Sequence, residues 1–193
     1  MFVRRRRWGR WIALAVVLLV AAAAAGLAWV LPMVTYDGVE EGAFSSAGPD
    51  GRPVKAGPFG EYVSIRYRAG VATSVDVSVA NNGDRDVRVT SLGDRRGLSG
   101  VRPRGVRIGE ANSNGPPRRY VPFREFDLPA GQARGVRLLY RTGACSALPK
   151  DSSVTFEALH LRWRTGFVER EQTIELRSPI EFRRDGICER RSG

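Results

Sequence analysis

The sequence predicts an all-β protein: an antiparallel β-sandwich of seven or eight strands preceded by one N-terminal transmembrane helix. Three observations carry this. An uncharged stretch, Trp11 to Leu31, follows a basic arm; beyond residue 60 apolar residues recur with period two; and no amphipathic helical period occurs outside the first stretch. The chain has 193 residues, 22 Gly and 11 Pro, enough length for one ordinary domain plus an accessory segment and many turn signals between short strands.

The N-terminal segment comes first. Arg4, Arg5, Arg6, Arg7 and Arg10 form the expected cytoplasmic arm 1–10. The 21 residues from Trp11 to Leu31 carry no charge, and as a helix they span roughly 31 Å, the thickness of a bilayer core. Trp11 and Trp29 are eighteen residues apart, about 27 Å along a helix, so their rings suit the two headgroup regions. The first charges after the span are Asp37, Glu40 and Glu41, and the positive-inside rule then puts the N-terminus in the cytoplasm and everything from Pro32 onward outside. A cleaved secretory signal is the rival reading, because Ala23, Ala25 and Ala28 suit signal peptidase; a run continuing through Trp29, Val30 and Leu31 favours an uncleaved anchor. The expected localisation is the cell membrane, with secretion after cleavage as the alternative.

From Pro32 to Gly60 glycine and proline recur without a sustained period, which reads as a flexible linker with a reach of about 30 Å. The extracytoplasmic domain is then 61–193. Tyr62 to Arg68 places Val63, Ile65 and Tyr67 on one face, and Val71 to Ala80 alternates in the same way. Ala69-Gly70 and Asn81-Asn82-Gly83-Asp84 supply turns. Val87 to Leu92 is the next strand. Gly93 to Arg119 is irregular, with a short strand candidate at Val106 to Ile108. Tyr120 to Phe126, Gly135 to Arg141 and Ser153 to Arg164 follow as strands, the last with a change of phase that predicts a bulge near Ala158. Thr165-Gly166 turns into Phe167 to Arg177, and Pro179 predicts a break or an edge position before Ile180 and Phe182.

The stretch Val75 to Thr90, with DVSVANNGDRDVRVT as its main part, resembles the strand, Asn-x-Gly turn and Val-x-Val strand of bacterial immunoglobulin-like domains of the cell-adhesion-related type. The whole chain more loosely resembles uncharacterised membrane-anchored proteins of high-GC Gram-positive bacteria. The resemblance implies immunoglobulin-like connectivity and an envelope location, and no activity.

Two cysteines in an oxidising compartment predict one disulfide, Cys145 to Cys188. Strand order supports the pairing: Cys145 precedes the long strand that runs to the far end of the sandwich, and the following strand returns the chain just before Cys188. Closing such a loop is worth on the order of 4 kcal/mol in the chain-entropy model.

Catalytic motifs are missing: there is no Gly-x-Ser-x-Gly elbow, Walker loop, dinucleotide fingerprint or His-Glu-x-x-His. His160 is the single histidine, and its place between Leu159 and Leu161 reads as an outward or hydrogen-bonded structural residue. Glu40 and Glu41 read as solvated linker charges, and Asp84 and Asp86 as turn residues without EF-hand spacing. No cofactor, metal site or catalytic residue is therefore expected. Tyr120, Phe123 and Phe126 around Pro122 read as core more than as an aromatic platform.

The net charge of +11 resolves into parts. Five charges belong to residues 1–10, and a further +5 to the loop 93–119, where Arg95, Arg96, Arg102, Arg104, Arg107, Arg118 and Arg119 stand against Asp94 and Glu110. An extracytoplasmic domain has no nucleic-acid partner. The expected function is a non-enzymatic, single-pass interaction or scaffold module of the cell envelope with a protein partner. The alternative is binding of anionic lipid or cell-wall polymer through loop 93–119, whose arginine forks suit phosphate and carboxylate groups. A solvated loop with arginines favoured by GC-rich coding is the plain reading of the same segment.

Overall fold

A run of Ala, Leu and Val with no charge has few ways to satisfy its backbone other than a helix, and in the computed structural model Arg5–Val34 forms one, α1. The structure describes residues 5–47, 51–57, 60–93, 98–109 and 117–186. The chain divides into two units, Met1–Tyr36 and Asp37–Gly193. In the first, Trp11–Val34 has a mean hydropathy of 2.6, and its most apolar window is unburied throughout, with Trp11 and Trp29 both exposed. By length and composition this stretch is long and apolar enough to cross a membrane. Arg4 lies outside the described residues; Arg5, Arg6, Arg7 and Arg10 fall in the opening turns of α1.

The second unit is built of strands: β1 Val39–Ala47, β2 Gly51–Gly57, β3 Gly60–Arg66, β4 Ala72–Asn81, β5 Val87–Gly93, β6 Val101–Gly109, β7 Tyr120–Pro122, β8 Phe126–Leu128, β9 Ala133–Thr142, β10 Ser152–Thr165 and β11 Val168–Arg184. A front sheet has the order β1-β4-β9-β6-β7 and a back sheet the order β2-β3-β11-β10-β5-β8. Val75, Val77 and Val79 of β4, with Val136, Leu138 and Tyr140 of β9, line the inner face of the front sheet. Phe156, Leu159, Leu161 and Trp163 of β10, with Ile180 and Phe182 of β11, line that of the back sheet. Tyr140 meets Phe156 and Phe182 edge to face, with ring centroids 6.1 and 6.0 Å apart, so the two sheets share one core. The architecture is a β-sandwich.

Several expectations are corrected. The linker expected over 32–60 carries β1 from Val39 and β2 from Gly51; β1 pairs with β4, and a register shift between Glu41 and Ser45 breaks the alternation that would have revealed it. Glu41 is not solvated: it faces inward opposite Val79, is 5% exposed, and its Oε2 accepts the Arg177 N–H at 2.7 Å. The sandwich is not wholly antiparallel, because β3 runs parallel to β11. Tyr120 to Phe126 is not one strand; Pro122 ends β7 in the front sheet, and β8 joins β5 in the back sheet. Loop 93–119 contains a full strand, β6, paired on both sides.

Pro179 is not at an edge, and the break expected there is a break in pairing and not in the strand. β11 runs through it between β10 and β3, because the β10 register jumps from Phe156↔Ile180 to Ala158↔Glu175 and the β3 ladder starts only at Ile180. The extra residues form the bulge expected near Ala158, and there proline forfeits no ladder bond.

Candidate anion-binding site

The site begins with the phase of β9. Val136, Leu138 and Tyr140 point into the core, so Arg137, Leu139 and Arg141 face outward on the front sheet. On the neighbouring β6, Arg102 stands opposite Arg141 and Arg107 opposite Arg137, with Gly105 opposite Leu139. Arg104 occupies the register shift between Pro103 and Gly105. Two like-charged cross-strand pairs thus lie side by side, an arrangement that costs a sheet stability.

One of these arginines is neutralised within the fold. Asp76 of β4 is 4% exposed, and Arg137 Nε and Nη2 donate to its Oδ1 and Oδ2, both at 2.7 Å. This fork-to-carboxylate bond and the charge on Asp76 push the Arg137 pKa further up. Arg137 also stacks over the Tyr120 ring at 4.0 Å. The Tyr120 hydroxyl is shut from solvent without a hydrogen-bond partner, and burial first, then the adjacent Asp76 charge, pushes its pKa up to about 12. Pro117 closes this half of the face. It lies so near Gly109 and Gly135 that a Cβ there would stand 2.4 and 2.3 Å from its ring, which is why both strands carry glycine at that row.

The other half is open. Arg102, Arg104, Arg107 and Arg141 are exposed, and none has an acidic partner among the described residues. Arg104 and Arg141 border a cleft of about 440 Å³ whose remaining walls are Gly70, Val71, Ala72, Thr73, Leu139 and Tyr140, and Arg141 Nε donates to Gly70 O at 3.2 Å. Arginine forks beside a shallow cleft can donate to phosphate or carboxylate oxygens.

Of the seven loop arginines, β6 brings Arg102, Arg104 and Arg107 onto one strand. Arg118 and Arg119 are exposed beside the Pro117 cover, and Arg95 and Arg96 lie outside the described residues. Arg141 and the Asp76–Arg137 pair were missed by sequence reasoning. Their signal was available in the polar phase of Gly135 to Arg141, where arginines stand at 137 and 141 on the side opposite the core residues.

The remaining candidates sit elsewhere. His160 faces outward on the back sheet, with Nδ1 2.8 Å from Thr173 Oγ1, at the edge of a cleft of about 230 Å³. Phe123 and Phe126 meet edge to face at 6.3 Å. Asp86 Oδ1 accepts the Ala130 N–H at 3.0 Å, a turn role. Among the described residues no three His, Cys, Asp or Glu side chains gather as a metal site would require. Cys145 is not a free thiol, while Cys188 lies outside the described residues. Arg184, four residues before Cys188, donates from Nη1 to Cys145 O at 2.5 Å.

The chain is thus a β-sandwich unit with one basic outer face, accompanied by an apolar helix. No protein-family model and no curated protein matches it. Solved structures with a similar arrangement include the cupredoxin domain of amoB from Nitrosocaldus yellowstonii, at 11% identity and a TM-score of 0.29, covering 63% of this chain and 61% of that one. An ASH/PapD-like domain of a human protein is 9% identical, with a TM-score of 0.32, covering 63% of this chain and 80% of that domain. A family 123 glycoside hydrolase from Clostridium perfringens is 10% identical, with a TM-score of 0.36, covering 75% of this chain and 27% of the hydrolase. The chain therefore spans less than two thirds of the cupredoxin domain and about a quarter of the hydrolase.

Proposed function

We propose that the protein is a single-pass, membrane-anchored module of the cell envelope, with a cytoplasmic N-terminus and an extracytoplasmic sandwich, that works by binding and not by catalysis. Its contact surface is the open half of the front face. One observation carries this reading: Arg102, Arg104, Arg107 and Arg141 stand together on rigid strands without acidic partners among the described residues, on a sandwich that pairs Arg88, Arg162 and Arg183 with acids. Anionic groups of the envelope supply the missing counter-charge. The strand order supports immunoglobulin-like connectivity, since β1-β4-β9-β6 opposite β11-β10-β5 follows the A-B-E-D and G-F-C arrangement. Arg184 holding Cys145 beside the end of β11 supports the Cys145–Cys188 bridge.

Co-sedimentation of the full chain, held in neutral-lipid nanodiscs, with wall material across a salt series tests the binding. Capture at low salt that fades as salt rises is expected; no capture at low salt sinks the reading. Protease added outside intact cells should digest the sandwich and spare the N-terminal arm. Unreduced protein should present no reactive thiol to a labelling reagent.

A further inference from the structure

Three features of the open front face narrow what it binds. First, the arginines form a row. Arg141 and Arg137 are four residues apart on β9, roughly 13 Å along a strand, and Arg102 and Arg107 mark the same two rows on β6. One monovalent or divalent anion cannot reach both ends. Second, the surface beside the rows is partly open: Gly105, opposite Leu139, has nothing within 4 Å of where a Cβ would stand, and Ala72, opposite Arg141 on β4, and the nearby Gly70 are exposed. A glycine within a strand and facing open space marks a place where a ligand can approach the backbone closely. Third, the face is concave beside Arg141, where a cleft between the start of β4 and the end of β9 has Arg104 and Arg141 on its walls. A bilayer surface meets protruding side chains, usually with exposed apolar residues among them. A narrow polyanion can lie in the groove with forks on both sides.

We propose that the front face is a track for a linear phosphate-bearing polymer, which lies in the cleft between Arg104 and Arg141 and runs on across β6, with Arg102 beside the cleft and Arg107 at the far end. This rests on the binding reading above and specifies its ligand. The cross-strand pairing of Arg102 with Arg141 agrees with it, because a like-charge pair that weakens the empty sheet becomes favourable when an anionic chain passes between the two.

The test uses the full chain in phosphatidylcholine nanodiscs and three probes: linear inorganic polyphosphate, inorganic phosphate, and phosphatidylglycerol vesicles. Polyphosphate should bind with a salt-dependent affinity at least about tenfold above that of inorganic phosphate at equal phosphate concentration, because several contacts act together. The variant Arg102→Gln/Arg104→Gln/Arg141→Gln should lose about thirtyfold or more. A second variant, Ala72→Leu, keeps every charge and fills the groove at an exposed strand position; it should also lose about tenfold if the chain lies in the cleft. Circular dichroism checks that both variants fold. If the arginine variant loses binding but Ala72→Leu does not, or if the vesicles bind as tightly as polyphosphate and Ala72→Leu leaves that unchanged, the face binds anions and the polymer track is overturned. If polyphosphate and vesicles both fail to bind, or the arginine variant binds as well as the natural protein, the binding reading falls with it.

Discussion

The two outer faces of the sandwich treat the same residue type differently. On the back sheet, Arg162 lies 3.3 Å from Glu169 and bonds Glu171 directly across the β10–β11 ladder, Arg88 reaches Glu125 at 3.2 Å and Asp127 at 3.7 Å, and Arg183 holds Asp185 at 2.7 Å. On the front sheet only Arg137 is paired in this way, with Asp76, while Arg102, Arg104, Arg107 and Arg141 are left without acids among the described residues. Strand geometry permits cross-strand acids on both faces, and the back sheet uses them for Arg88 and Arg162, while its Arg66 and Arg164 have none among the described residues. The net charge is therefore a poor guide to the surface, and the distribution of partners is a good one.

Breaking the shared core should abolish the comparison altogether. Tyr140→Ala removes the ring that meets Phe156 and Phe182 and should cost about 3–5 kcal/mol, read by chemical denaturation. Both faces should fail in a single transition, because Tyr140 belongs to the front sheet and its two partners to the back. Two separate transitions would show that the sheets do not depend on one core.

A smaller loss separates the faces. Asp76→Ala leaves Arg137 unpaired beside the buried Tyr120 hydroxyl and should cost about 2 kcal/mol, less than for a fully buried pair because Arg137 keeps some solvent. Loss of the exposed Arg162–Glu171 pair should cost about 0–1 kcal/mol. Equal losses at the two sites would remove the distinction between a structural pair and a surface pair.

Alkaline pH should also act on the front face. The folded Tyr120 pKa of about 12 stands above the ordinary value of 10.0, so the native state keeps a proton that the unfolded chain releases. The stability contributed is complete below pH 10 and is lost as pH rises through 12. Denaturation midpoints should fall across that window, and Tyr120→Phe should flatten the fall while leaving neutral-pH stability within about 0.5 kcal/mol, since the hydroxyl has no hydrogen-bond partner to lose. The same decline in Tyr120→Phe would assign the loss to other groups.

Much of the sandwich was legible because period-two alternation is a local property. β3, β4, β5, β9, β10 and β11 announce themselves by Val, Ile, Leu and Tyr at every second position, and the phase change near Ala158 revealed its bulge. β1 was hidden because its pairing with β4 shifts register after Glu41 and its outer positions are Gly and Ser. β6 was hidden by Pro103 and Gly105, which read as loop residues and here mark the register shift. The site was half legible: an arginine-rich segment is visible in a string, but the arrival of Arg141 beside Arg102 depends on strands far apart in sequence pairing in one register. Asp76 looked like an exposed polar residue of an alternating strand, and it is buried where Arg137 bonds both its carboxylate oxygens and stacks on Tyr120.

The smallest expected effect bears most directly on the difference between the faces. Glu169→Gln/Glu171→Gln strips Arg162 of both partners and gives the back sheet a further unpaired arginine, next to the His160 cleft. These are exposed pairs, so stability should change by less than about 1 kcal/mol. If net charge and loose arginines drive binding, this variant, two charges more positive, should take up polyphosphate more tightly than the natural protein. If the front groove is the site, affinity at physiological salt should stay within about twofold, because a single fork more than a Debye length away cannot share a ligand chain with Arg102, Arg104 and Arg141. A rise of tenfold or more would mean that any unpaired arginine on this sandwich suffices, and the front sheet would lose its special standing.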